Sequence, residues 1–219
     1  MIISLTGFMG CGKSSVGREL SQLLCCPFMD LDQVIEERAG RSIPEIFASD
    51  GEEAFRAMEL ETLKEIVGLP MYSRGPLEPA TAGCSQQKPT GLFVNRSRSL
   101  AGGGKMPLPY NRQTDKRTQD SESLVLALGG GAVMTAECAE IVRSETLCVY
   151  LRASVDTLME HLEGQTDNRP LLSYADLRKR ITELMALRSA TYENTAHIII
   201  DIDGRSIEAI ASEIISRLG

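Results

Sequence analysis

The sequence predicts an α/β fold, three layers deep, with about five parallel strands covered by helices on both faces. Three observations predict it. Short apolar runs alternate with amphipathic helical patterns through most of the 219 residues, which is the signature of a parallel sheet with crossover helices. The first run, Ile2-Ile3-Ser4-Leu5, leads at once into Gly7-Phe8-Met9-Gly10-Cys11-Gly12-Lys13-Ser14-Ser15, and this matches the phosphate-binding pattern G-x-x-x-x-G-K-[ST] at every fixed position. The loop is followed by a helical pattern with Val16, Leu20, Leu23 and Leu24 on one face.

Strand, glycine loop and helix together suit anion binding. Glycines let the backbone curl so that successive N–H groups point at one anion, and the helix N-terminus adds partial positive charge. Gly10, Cys11, Gly12 and Ser15 supply loop backbone. Lys13 is placed to reach the β- and γ-phosphates, and the Ser14 hydroxyl to ligate Mg²⁺. The bland alternative is a glycine turn that happens to contain Lys-Ser.

Composition is that of an ordinary globular protein, 42% apolar and 24% charged. The net charge of −7 gives no bulk electrostatic support to a nucleic-acid partner. No apolar run approaches the ~20 residues of a membrane span. The six cysteines (11, 25, 26, 84, 138 and 148) show no metal-ligand spacing. They read as reduced thiols of a cytoplasmic protein. The first residues enter a strand without a basic run, so no signal peptide is expected.

Along the chain, Cys26 to Asp30 reads as a second strand ending in Asp30-Leu31-Asp32. Two carboxylates at i and i+2 leave a strand on one side. Either they serve Mg²⁺ and a substrate hydroxyl, or Asp32 caps a helix and Asp30 is a solvated partner. Helices are expected over Gln33–Ala39, from a Ser42/Glu45 capping box to Ser49, and from Gly51 to about Val67. On the last of these, Arg56 and Glu59 share a face. They make either a surface ion pair or a guanidinium oriented to fork onto a carboxylate.

Residues 70–122 hold six of the nine prolines and no sustained periodicity. They read as a disordered insertion within a single domain spanning 1–219. Leu124 to Leu128 is a buried strand ending in Gly129-Gly130-Gly131, where a ligand can approach the backbone closely. Further helices are expected from Thr135, Ser154 and Asp176, and strands over Thr146–Leu151 and His197–Asp201. The segment from Gly164 to Tyr174 carries Arg169 and reads as a lid. Arg188 either complements a helix dipole or aims at the crevice. Gly204-Arg205 opens the last helix. His161 and His197 have no partner at ligand spacing and read as structural.

With these residues assembled, the chain resembles shikimate kinase, of the nucleoside-monophosphate-kinase-like group of P-loop enzymes. The resemblance covers residues 1–68 and 123–219. It rests on the glycine loop, Asp30-Leu31-Asp32, Phe55-Arg56 with Glu59, the triple glycine, Arg169-Pro170-Leu171-Leu172, and Arg188 with Tyr192 following. It implies a sheet in order 2-3-1-4-5 with a lid, and ATP-dependent phosphorylation of the 3-hydroxyl of shikimate. It implies Asp30 at the Mg²⁺ shell, Asp32 on the reacting hydroxyl, and Arg56 and Arg188 clamping the carboxylate. Gly129, Gly130 and Gly131 line the shikimate site, Arg169 brings charge to the phosphoryl group, and Arg205 stacks on adenine. Ile43, Phe47 and Phe55 form an apolar wall. Leu128 and Leu162 depart from the family: Leu128 stands where a small hydroxyl residue is common, and Leu162 where some members have an arginine near adenine. Small-molecule substrates (shikimate and ATP), no nucleic acid, no membrane and a monomer are expected. A gluconate-kinase-like enzyme and a catalytically inactive nucleotide-binding module are the alternatives.

Overall fold

The computed structural model describes residues 1–68, 123–163 and 174–218. The 70–122 segment, Cys84 and Arg169 lie outside the described residues. Five strands form one parallel sheet: β1 (Ile2–Thr6), β2 (Phe28–Asp30), β3 (Leu124–Ala127), β4 (Leu147–Arg152) and β5 (Ile198–Asp201). Their order is β2-β3-β1-β4-β5, as expected. The helices are α1 (Lys13–Leu23), α2 (Leu31–Ala39), α3 (Ile43–Ser49), α4 (Gly51–Gly68), α5 (Ala136–Glu145), α6 (Val155–Glu163), α7 (Tyr174–Thr195) and α8 (Ile207–Leu218). A 3₁₀ turn over Ala132–Met134 has no counterpart in the sequence reading.

The centre of the sheet is β1. It pairs with β3 through Ile3↔Val125 and with β4 through Ile3↔Leu147. All five of its residues are buried, as a strand covered on both faces requires. Its buried polar side chain at Ser4 shares a hydrogen bond of 2.7 Å with Thr146. Helix α1 packs close to the sheet because residue 17 is glycine. A Cβ there would sit 2.4 Å from the Phe28 ring and 3.3 Å from Leu5.

Local signals explain the segment between β2 and α4. The Glu45 carboxylate accepts the Ser42 backbone N–H at 2.7 Å and its hydroxyl at 2.7 Å, and Pro44 lies in the first turn. Gly40 ends α2 in the left-handed conformation, φ 63. The start of α2 differs from expectation. The helix begins at Leu31, and its N-cap is Asp30, not Asp32. The β2 strand runs extended through Asp30, whose Oδ1 accepts the Asp32 N–H at 3.1 Å. The two carboxylates therefore leave from a strand end and a first helical turn, not from one strand.

No described helix is long and apolar enough to cross a membrane. The described cysteines, 11, 25, 26, 138 and 148, are free thiols.

Candidate active site

Loops at the carboxyl ends of β1, β2 and β3 meet above the sheet, where open α/β sheets form their ligand crevice. The glycine loop joins β1 to α1. Gly7 takes φ 145, and a Cβ on it would lie 2.7 Å from the Leu151 carbonyl oxygen, so no side chain fits there. The loop ends at Gly12, φ 82, which is the N-cap of α1 without any side-chain cap. The first N–H groups of α1 have no partner within the helix. The Lys13 ammonium donates to Gly7 O at 2.9 Å and Phe8 O at 3.0 Å. The Ser14 hydroxyl donates to Asp30 Oδ2 at 2.6 Å.

Beside this loop lies the triple glycine. A Cβ on Gly129 would fall 2.5 Å from Asp32 Oδ1 and 2.9 Å from Glu59 Oε1, and a Cβ on Gly131 2.7 Å from the Arg56 guanidinium. The glycines thus make room for three charged side chains, not only for a ligand. Gly130 lies between the two halves of the site. A Cβ there would be 3.2 Å from Met9 N, and its carbonyl accepts the Tyr192 hydroxyl at 2.5 Å.

Arg56 is held from two sides, by Glu59 at 2.9 Å and by Glu52 at 3.2 Å. The Glu59 side chain is only 1% exposed. Among the described residues, three buried side-chain oxygens lack a hydrogen-bond partner: Thr6 Oγ1, Asp32 Oδ1 and Glu59 Oε1. Buried polar atoms are nearly always satisfied. Two of these three orphans flank Gly129, and Thr6 immediately precedes the glycine loop. Burial, reinforced by the negative charges of Asp30 and Glu59, raises the Asp32 pKa to about 6. Burial also raises that of Glu59, against the opposing pull of Arg56.

A cavity of about 560 Å³ runs from Asp30 and Asp32 along the glycine loop to His161, Arg205 and Ile207. That size suits a small-molecule ligand. Arg205 lines it, donating to Asp201 O at 3.0 Å and pairing with Glu213 at 2.5 Å. Arg188 stands over the Phe8 ring, 5.9 Å from its centroid. Phe47 and Phe55 pack with ring centroids 4.8 Å apart.

The structure therefore gathers Lys13, Ser14 and Asp30 in one group, and Asp32, Arg56, Glu59 and the triple glycine in another. Arg188 sits against the glycine loop, Arg205 lies at the far end of the cavity, and Arg169 is outside the described residues. Two contacts escape the sequence reading. Glu52 is a second partner of Arg56, and its i,i+4 spacing is the available signal. His161, expected to be structural, hydrogen-bonds through Nδ1 to Gly10 O at 2.8 Å and has no local signature. His197 bridges to β4, its Nδ1 accepting the Cys148 N–H at 3.0 Å.

Gly129→Ala tests the packing of the two carboxylates. Its φ lies outside the left-handed region, so the effect is one of space. A methyl displaces Asp32 and Glu59, and kcat/KM for the phosphoryl acceptor is expected to fall by more than about tenfold, since misplacement of a reacting group by 1 Å costs up to about 10²-fold. Steady-state kinetics beside a melting curve check it.

A nucleotide-phosphate loop on a five-stranded sheet of this order, facing buried carboxylates and an oriented arginine, defines a P-loop phosphotransferase acting on a small molecule. The family model described as shikimate kinase matches residues 9–70 and 111–219. The chain belongs to the shikimate kinase family, whose members are ATP-dependent kinases. Relatives include a shikimate kinase of Thermus thermophilus, 34% identical over 99% of this chain and 89% of its own length, and that of Dictyoglomus turgidum, 31% identical over 99% and 96%. Among solved structures, shikimate kinase from Acinetobacter baumannii in complex with shikimate aligns with a TM-score of 0.68 and 27% identity, covering 99% of this chain and 92% of that one.

Proposed function

We propose that this protein transfers the γ-phosphoryl group of ATP to the 3-hydroxyl of shikimate, releasing ADP and shikimate 3-phosphate. The observation that carries the proposal is the pair of orphaned carboxylate oxygens at Gly129 beside an arginine oriented by Glu52 and Glu59. A polyol acid needs both: acceptors for its hydroxyls and a fork for its carboxylate.

In this reading the glycine-loop N–H groups and Lys13 hold the phosphates, exchanging Lys13's present bonds to Gly7 O and Phe8 O for phosphate oxygens. Arg56 and Arg188 bind the acid's carboxylate and set the ring so that the hydroxyl lies in line with the γ-phosphorus. The hydroxyl oxygen forms the new P–O bond as the bond to ADP breaks, and its proton passes to Asp32. Arg169 is assigned the charge at the transferring group. Positioning and charge neutralisation supply most of the acceleration.

Ser14 and Asp30 fit an Mg²⁺ site. They are two oxygen donors 2.6 Å apart, and Mg²⁺ is commonly held by one or two protein ligands with substrate phosphates and waters. When bound, the ion would offset phosphate charge.

Because Asp32 accepts the proton only when ionised, kcat/KM for shikimate is expected to rise as pH increases through about 6 and to level off above it. A profile flat from pH 5 to 8 would contradict the role. The functional test is turnover with shikimate and with gluconate, with the phosphorylated position read by NMR. Phosphate on the 3-oxygen of shikimate supports the proposal; turnover of gluconate alone overturns it.

A further inference from the structure

We infer that His161 is a positioning residue for the nucleotide, acting by fixing the tip of the glycine loop. This inference rests on the glycine loop being an ATP site. His161 lies near the end of α6 and is exposed, so packing does not explain its geometry. Its Nδ1 lies 2.8 Å from Gly10 O. A carbonyl oxygen can only accept, so Nδ1 carries the proton. It does so in the neutral Nδ1–H tautomer and in the imidazolium alike.

The Gly10–Cys11 peptide is thereby held at both ends. Its carbonyl is bound by His161, and its N–H donates to Phe8 O at 3.3 Å. Gly10 takes φ 79, open to glycine but strained for other residues. Such a peptide is free to turn unless something outside the loop holds it. The neighbouring Leu162 closes over the same glycine, 3.1 Å from where a Cβ would stand. Fixing this peptide fixes the approach to Gly12, and so the direction of the unpaired N–H groups at the start of α1. Anion binding by such a cradle depends on those groups being aimed before the ligand arrives. His161 also lines the cavity that holds the loop, which places it beside the nucleotide and away from the Asp32–Arg56 end.

The geometry makes a discriminating prediction, because asparagine places an amide N–H near the position of Nδ1, whereas glutamine places one near Nε2. His161→Ala and His161→Gln are expected to weaken binding of a non-hydrolysable ATP analogue with Mg²⁺ by about 3- to 10-fold, the size of one net hydrogen bond. His161→Asn is expected to stay within about twofold of wild type. In turnover, the ratio of KM for ATP to KM for shikimate should rise in the first two variants and be restored in the third. Analogue affinity unchanged in His161→Ala would overturn the inference, as would equal rescue by glutamine and asparagine, or an equal rise in both KM values. If wild type itself fails to bind the analogue by calorimetry, it is the ATP-site reading that fails.

Discussion

Replacing Asp32 with asparagine is expected to lower kcat by about 10²–10⁴-fold, the usual contribution of a positioned proton acceptor, and at the same time to stabilise the fold at neutral pH. The second half follows from the raised pKa. In the unfolded chain this carboxyl titrates near 3.8; in the folded protein it titrates at about 6. Below the unfolded value both states hold the proton and the site is neutral. As pH rises through the folded value, the carboxylate ionises where burial and two neighbouring carboxylates oppose it, and stability is lost. The loss is up to about 3 kcal/mol. Asparagine carries no charge and avoids it. Urea melts should therefore show little difference between wild type and Asp32→Asn at pH 4, and an advantage for the variant that grows from pH 4 to about 6 and levels off above it. A stability difference that does not change with pH would mean that Asp32 is not held against its ionisation. The pairing of lost activity with gained stability is the pattern of a site strained for function.

Arg56→Ala is expected to raise KM for shikimate by more than tenfold, because truncating one member of a desolvated charge pair costs about 2–5 kcal/mol. The KM for ATP reports on the separate glycine-loop end and serves as the internal comparison. The substitution also strips Glu59 of its partner while the carboxylate stays buried. An isolated buried charge is costly, but burial already raises the Glu59 pKa, and protonation relieves part of the cost. A moderate fall in melting temperature, larger at high pH, where Glu59 is ionised, than at low pH, is expected to accompany the kinetic effect. Arg56→Lys keeps the charge but cannot fork onto a carboxylate, so it should recover stability more fully than KM. A KM for shikimate unchanged in Arg56→Ala would refute the clamp.

Much of the fold is legible because its signals are local. The glycine loop has fixed spacing, and the strand and helix around it follow from short-range pattern. The Ser42–Glu45 capping box lies within four residues and appears as expected. What the sequence could not supply is contact between distant segments. Nothing local tells that Ser14 reaches Asp30, or that Glu59 and Asp32 meet over Gly129, because those pairings depend on how β2, β3 and α4 are arranged. Asp30 rather than Asp32 caps α2 because the helix starts directly at the strand end, and boundaries of this kind shift by a residue or two with tertiary context. In sequence the triple glycine signals only the close approach of a ligand. The structure adds that Gly129 and Gly131 are small to admit Asp32, Glu59 and Arg56. A lone histidine at a helix end carries no pattern at all, so the bond from His161 to Gly10 is visible only in three dimensions.

The most direct test of the central claim is ADP release from ATP and Mg²⁺, coupled to a reporter, with and without shikimate. The site geometry predicts slow release alone and a large, saturable increase on adding shikimate, an increase about 10²–10⁴-fold smaller in Asp32→Asn. Release indifferent to shikimate would contradict the assignment of the Asp32–Arg56 end of the site to that acceptor.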